Sequence, residues 1–353
     1  MNHSIYQWQM TEPDKEFRLI EEKRPELKEG EALVKVAGCG VCHTDLSFWH
    51  YGVQTKHALP LTLGHEISGT VVAGAPAWLG RKVIVPAVLP CGECELCKKG
   101  RSNICRNQMM PGNDFHGGFA SHIKVPARFL CEVPGRVLEK YPLETLAVIA
   151  DAISTPYQVI KKSELENGDL AIVIGVGGVG IYGALIAKIV GAKVIALDIS
   201  DEKLDNAVAH GIDAVLNIKD LGVKAVKDKV RELAEELQAP KTGWKIFEIS
   251  GTTAGQELAF NLITFTSTLS IVGFTMGKTE VRLSNLMAFD AKVIGTWGCR
   301  AELYPEVLDL IATGKLNITD FVQTMPMSQI NTVFRETLEN KYTKRSVLVP
   351  DFS

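Results

Sequence analysis

The sequence predicts an α/β-plus-β protein of two parts, a β-rich barrel-like region and a doubly wound parallel sheet. Three observations predict it. At 353 residues the chain is long for a single domain. Short β-type runs with glycine and proline punctuation fill roughly its first 150 residues. From Leu170 onward, apolar strands alternate with helix-patterned segments, the texture of a parallel sheet covered on both faces.

Taken in order, "EALVKVAGCG", "EISGTVVAG", "RKVIVPAVLP" and "ASHIKVPARFLCEVP" read as strands at barrel-like spacing. "LAIVIGVG" is a continuous apolar strand, and "GVGIYGALIAKIVGA" a helix ending at Gly191. "KVIALDIS" gives a strand, "DEKLDNAVAHG" a helix, "AVLNI" a strand, "LGVKAVKDKVRELAEELQ" a helix and "WKIFEIS" a strand. "GQELAFNLI" and "STLSIVGF" close the series. After Trp297 the pattern turns irregular, with helices around "ELYPEVLDLIATG" and "MSQINTVFRETLEN" and a short strand "RSVLVP". No internal repeat or low-complexity segment interrupts this order.

Composition narrows the function classes. Apolar content of 46% and charge of 22% fit a globular protein with a real core. A net charge of −3 argues against a nucleic-acid or polybasic membrane surface. "MNHSIYQWQMTEPDKEF" has no apolar core of a secretory signal. The uncharged run from Leu170 to Ala187 reaches membrane-span length, but its glycines suit strand, turn and helix start better. The expectation is a cytoplasmic protein that binds neither nucleic acid nor membrane.

"VIGVGGVGIYGALIA" places Gly175, Gly177 and Gly180, with Gly178 and Val179 between, in G-x-G-x-x-G spacing after a strand and at the opening of a helix. Such glycines permit a tight turn and close backbone approach to a pyrophosphate at a helix N-terminus. Asp198 ends the next strand, where a carboxylate can hold ribose hydroxyls and repel a 2′-phosphate, so NAD is expected over NADP.

Two metal signals precede it. "CGECELCKKGRSNIC" sets Cys91, Cys94, Cys97 and Cys105 in C-x2-C-x2-C-x7-C spacing, suited to a closed structural zinc site. An iron–sulfur cluster also takes four cysteines and stays open on spacing alone, while a redox pair is disfavoured by the third and fourth cysteines. The second signal is dispersed: Cys42 in "CGVCHTD" and His65 in "GHE" supply two ligands of a catalytic zinc that needs three. No further cysteine offers itself as the third. Asp151 stands in a mostly apolar stretch without a basic residue near it in sequence, where a bare carboxylate is costly to desolvate.

At this point the chain resembles the medium-chain, zinc-dependent alcohol dehydrogenases nearly end to end. The residues that carry it are "GCGVCHTD", "LGHEISGTV", the four-cysteine loop, "GVGGVG" with "ALDIS", and "RSVLVP". The resemblance implies a GroES-like catalytic domain over 1–152, a Rossmann NAD-binding domain over 153–296, and a return to the first over 297–353. It implies two zinc ions per chain, one catalytic and one structural, and a homo-oligomer, dimer or tetramer. Cys42 and His65 then resemble catalytic zinc ligands, and Glu66 a nearby carboxylate. The family commonly opens a "C-A-x-x-T-x-Y" stretch with the third ligand; this chain reads "D-A-I-S-T-P-Y", which puts Asp151 there. The competing reading is a helix-end carboxylate held by backbone N–H groups.

Thr44 resembles the hydroxyl of the proton path. The histidine that often follows is Ser47 here, which leaves His50 or water to finish the path. His43 and Arg345 match pyrophosphate contacts, Lys203 an adenosine-ribose contact, and Thr155, Val272 and Phe274 the lining of the nicotinamide. "HYGVQTKHALPLTLGHEISG" with "ADAISTPYQ" is similar to the branch that oxidises a cyclohexene-ring alcohol carried as a CoA thioester. Lys56 and His57 are the basic residues nearest to hand for such a substrate's phosphates. The expected reaction is NAD-linked oxidation of a small-molecule secondary alcohol to a ketone; another secondary alcohol or a polyol is the rival substrate. The rivals from other classes are a catalytically silent zinc-containing binding protein and a thiol redox protein using Cys39 and Cys42.

Overall fold

A computed structural model describes residues 4–352. The chain divides into two compact units. One comprises the chain up to Ser154 together with the segment from Gly298 on, and the other is Thr155–Trp297.

The first unit is built on strands whose buried and exposed residues alternate with the period of two that a half-buried sheet demands. Ser4–Met10 shows it clearly, with Ile5, Gln7, Gln9 and Met10 buried. Its seven-stranded sheet runs Val322–Pro326, Arg345–Val349, Glu31–Gly40, Glu66–Gly74, Lys82–Val85 and Cys131–Glu132, with His122–Pro126 also paired to Glu31–Gly40. The pairings are antiparallel except Val322–Pro326 with Arg345–Val349. Three further strands, Arg18–Lys23, Ser4–Met10 and Leu61–Thr62, make a second small sheet. Leu46, Leu61, Leu63, Ile67, Phe119 and Phe334 are fully buried between these elements. The expected run "RKVIVPAVLP" is a strand only over Lys82–Val85, because Pro86 lacks the N–H to extend it.

The second unit holds a six-stranded parallel sheet. Its order is Ala214–Asn217, Lys193–Asp198, Leu170–Ile174, Lys245–Glu248, Thr268–Ile271 and Lys292–Gly295. In sequence order this is 3-2-1-4-5-6, so the direction of winding reverses between the first and fourth strands. The helix Gly180–Val190 stops at Gly191, whose φ of +99° suits only glycine without strain. "STLSIVGF" does not close the sheet, as expected above: Lys292–Gly295 adds a sixth strand at its edge. The apolar run Leu170–Ala187 is strand, glycine turn and helix. No helix among the described residues is long and apolar enough to cross a membrane.

Candidate metal centres and dinucleotide loop

Cys42 is the residue before the helix His43–Trp49, in extended backbone (φ −111°, ψ 155°). Asp45, in the helix's first turn, is fully buried and ties three segments together. Its Oδ2 accepts from the Cys42 N–H at 3.0 Å, and its Oδ1 accepts from the Gly64 N–H at 3.1 Å and lies 3.4 Å from His65 Nδ1. A carboxylate behind a ligating imidazole fixes its ring and raises its basicity. Sequence reading missed this role, although the acid three residues after an N-cap was legible as a capping arrangement.

On the other face of His65, Nε2 lies 3.5 Å from Asp151 Oδ2, which is 3.9 Å from Cys42 Sγ. The donor atoms of Cys42, His65, Glu66 and Asp151 all lie within 4.8 Å of one another. Donors about 2.0–2.3 Å from a tetrahedral zinc stand roughly 3.3–3.8 Å apart, close to these spacings. Neither nitrogen of the buried His65 makes a well-aligned hydrogen bond, although both face carboxylate oxygens. Burial alone lowers the His65 pKa, but Asp45 and Asp151 outweigh it and raise the pKa well above the ordinary range. Carboxylates on both sides of a buried imidazole favour positive charge at this site. Thiolate, imidazole and carboxylate are the donors zinc takes.

Glu66, though within the cluster, is occupied from behind. Its Oε1 accepts from Arg345 Nη2 at 2.5 Å and from the Ala152 N–H at 3.1 Å, and its Oε2 accepts from Arg345 Nε at 2.8 Å. Arg345, expected at the pyrophosphate, is buried with this fork on Glu66. Asp151 follows the helical run Leu143–Ala150. Thr44 Oγ1 is 3.7 Å from Cys42 Sγ. Ser47 Oγ donates to the His43 carbonyl one turn back, at 2.9 Å, and exposed His43 begins the same helix. His50 Nδ1 stands 2.6 Å from Asp14 Oδ1. Lys56 is paired to Asp114 at 3.0 Å, and His57 Nδ1 meets the Ala58 carbonyl.

The four-cysteine loop keeps all four thiols unbridged. Sγ of Cys94 is 3.5 Å from that of Cys97 and 3.7 Å from that of Cys105, and Cys105 is 3.4 Å from Cys91. A tetrahedron with arms of about 2.3 Å has edges of about 3.8 Å, so the cage fits one zinc and leaves no space for the several atoms of an iron–sulfur cluster. Backbone N–H groups of Cys97 and Arg106 draw the Cys94 thiol down to about 6, while burial pushes the Cys97 thiol up to about 12 and raises that of Cys105. A low thiol pKa favours the thiolate that a metal requires.

In the second unit each loop glycine has a distinct reason. Gly175 has φ +86°, and a Cβ on it would lie 2.7 Å from Ser250 Cα. A Cβ on Gly180 would strike the Gly175 carbonyl at 1.8 Å, whereas one on Gly177 would meet only Lys203 Nζ, 4.0 Å away. The middle glycine therefore leaves an open cradle with an ammonium beside it, suited to phosphate. Gly178 and Val179 lead into the helix Gly180–Val190. Asp198 Oδ2 accepts from the Val176 N–H at 2.8 Å, and its Oδ1 accepts from Ile199 and Ser200, so the carboxylate is fixed to the loop. Lys203 lies in the first turn of Asp201–Ala209, which Ser200 caps. Thr155 is buried, Val272 half-buried and Phe274 exposed.

Fold and sites together define a metal-dependent dehydrogenase of the dinucleotide-binding kind. Residues 28–135 match the model of the alcohol dehydrogenase GroES-like domain, and residues 178–313 that of the zinc-binding dehydrogenases. An alcohol dehydrogenase of Geobacillus stearothermophilus is 32% identical over 341 residues, covering 95% of this chain and 96% of its own. The crystal structure of an alcohol dehydrogenase from Aeropyrum pernix is 27% identical with a TM-score of 0.83, covering 98% of this chain and 100% of its own. Galactitol-1-phosphate dehydrogenase from Escherichia coli is 25% identical with a TM-score of 0.85, covering 98% and 99%. The chain belongs to the medium-chain, zinc-dependent alcohol dehydrogenases, and is an NAD-linked, zinc-containing enzyme. That membership sets aside the silent binding protein and the thiol redox protein.

Proposed function

We propose that this enzyme oxidises a secondary alcohol to a ketone at a zinc held by Cys42, His65 and Asp151. The observation that carries the reading is the convergence of those three donors around an imidazole nitrogen with no well-aligned partner. Zinc, when bound, supplies a Lewis acid that lowers the pKa of the substrate hydroxyl, and NAD accepts the hydride. Thr44 takes the hydroxyl proton through its Oγ1. As it does so it passes its own proton to water, which Ser47 Oγ, its hydrogen held by the His43 carbonyl, can orient only by accepting a hydrogen bond, and from which His50, beside Asp14, can take the proton at the end of that helix. Arg345 pairs with Glu66 from behind the cluster and balances its charge beside the donor atoms.

For the substrate the reading is 6-hydroxycyclohex-1-ene-1-carbonyl-CoA, oxidised to the 6-oxo compound in anaerobic aromatic degradation. Its support is the local wording around "QTKHALPLTLGHEISG" and "ADAISTPYQ". Lys56, engaged by Asp114, is not a ready phosphate ligand, so a CoA moiety requires other cations. The test is a substrate screen following NADH absorbance. Cyclic CoA-thioester alcohols should exceed simple alcohols and polyols in kcat/KM; a polyol or simple secondary alcohol that outperforms them replaces this substrate. The protein is further read as a homo-oligomer in the cytoplasm. The edge strand Lys292–Gly295 and the helix Ser284–Phe289 beside it in sequence leave Leu283, Met287 and Val293 exposed, a surface suited to a second copy of the chain.

A further inference from the structure

The second unit buries a carboxylate that the reaction as described does not use. Glu248 ends the fourth strand of the parallel sheet and is fully buried. That strand flanks the reversal of winding, beside Leu170–Ile174, and in sheets of this kind ligands bind outside the strand ends at such a reversal.

Two turns hang on this one residue. Its main-chain carbonyl accepts from the Val272 N–H at 2.9 Å and from the Gly273 N–H at 3.1 Å. Its side-chain Oε1 accepts from Ser250 Oγ at 2.5 Å and from the Gly251 N–H at 3.1 Å. Its Oε2 has no hydrogen-bond partner. The turns are pressed together: a Cβ on Gly273 would lie 2.2 Å from the Gly251 nitrogen and 3.0 Å from Glu248 Oε2, and one on Gly251 would lie 2.9 Å from the Phe274 carbonyl oxygen. The Ser250 backbone in turn bears on Gly175, the first glycine of the dinucleotide loop. Strand ends one, four and five therefore meet in backbone contact, with the Glu248 side chain as the polar brace beneath them.

We infer that Glu248 is a positioning residue for the coenzyme, acting through the Ser250–Gly251 and Val272–Phe274 turns. The inference rests on the reading that Val272 and Phe274 line the nicotinamide. Without the carboxylate, Ser250 Oγ and Gly251 N–H lose their acceptor and the Ser250–Gly251 turn is free to shift against the Val272–Phe274 turn, whose own bonds to the Glu248 main-chain carbonyl remain. Buried hydrogen bonds to a carboxyl group are strong enough that their loss from a pre-formed site weakens binding by about tenfold. Glutamine keeps the shape and the Oε1 acceptor, so it should restore what alanine removes.

The experiment is NADH binding, followed by energy transfer from protein fluorescence, in the parent enzyme and in Glu248→Ala, Glu248→Gln and Ser250→Ala. The expected result is a dissociation constant raised about tenfold or more in Glu248→Ala, by a smaller factor in Ser250→Ala, and near the parent value in Glu248→Gln. Zinc content and KM for the alcohol should stay at parent values in all three. Glu248→Ala that binds NADH within twofold of the parent overturns the inference, as does Glu248→Gln that is as impaired as alanine. If Glu248→Ala does not fold, Ser250→Ala decides by the same twofold limit. A parent enzyme that does not bind NADH removes the coenzyme reading itself, and the inference with it. Tight NADH binding by Glu248→Ala removes only the inference.

Discussion

As the proposed third zinc ligand, Asp151 is where a single residue changes the expected chemistry. Its carboxylate is a harder donor than the thiolate the family commonly places there, so the metal should remain a stronger Lewis acid toward the substrate oxygen. Asp151→Ala should lose one of two zinc ions and the activity while the fold is retained. Glu66 stands among the same donors and can take its place, so Glu66→Gln is added as a second change. Elemental analysis that finds two zinc ions per chain in the Asp151→Ala, Glu66→Gln double variant would return Asp151 to the role of a helix-end carboxylate. Thr44→Val preserves shape and removes the hydroxyl, and should cut alcohol oxidation by roughly 10²–10⁴-fold. Steady-state oxidation rates check this, and a near-normal kcat excludes Thr44 from the proton route. The convergence of Cys42, His65 and Asp151 was legible because residue types able to bind metal are rare at such positions. Asp45 and the Glu66–Arg345 pair were less so, since their meaning lies in which donor faces which acceptor. Arg345 shows the limit: position in a motif suggested a phosphate contact, while its two engaged nitrogens lie on a carboxylate 279 residues away in sequence.

Among elements, the four-cysteine loop and the sheet edge behave differently. The loop carries short helical turns, Glu95–Lys98 and Ser102–Ile104, too brief to persist without their metal. Cys97→Ser should therefore lower zinc content by one ion and depress thermal stability, because metal binding there contributes folding free energy directly. The check is calorimetric Tm alongside kcat per folded chain. Unchanged Tm with abolished turnover would exchange the roles of the two metal centres. Most strands and helices could be read from periodicity and glycine stops. Lys292–Gly295 escaped because four residues, three of them exposed, offer too little alternation to register. The helix His43–Trp49 left little periodic signal because it spans only seven residues directly after Cys42.

At the scale of the molecule, the expected oligomer has a direct test. Placing charge on the exposed edge with Val293→Asp and Met287→Lys should shift the protein toward monomer in sedimentation, because buried unpaired charge is costly at an interface. A sedimentation coefficient identical to the parent would place the contact elsewhere. The two-part organisation was legible in the change of texture, whereas the pairing of late strands with early ones was not, because long-range register leaves no local mark. That pairing has a further outcome for biosynthesis. Arg345–Val349 completes the sheet through Leu348 opposite Cys39 and Val347 opposite Gly40, and Arg345 neutralises Glu66 behind the metal donors. At about 5–20 residues per second, a ribosome needs roughly tens of seconds to travel from Glu66 to Arg345. Through that interval the nascent chain can fold the intervening Thr155–Trp297 unit to completion while its own catalytic half waits, open at one edge and with an uncompensated acid beneath its ligands. A translation product that stops before Arg345 would therefore leave Glu66 without its buried partner and the Glu31–Gly40 strand without its late neighbour.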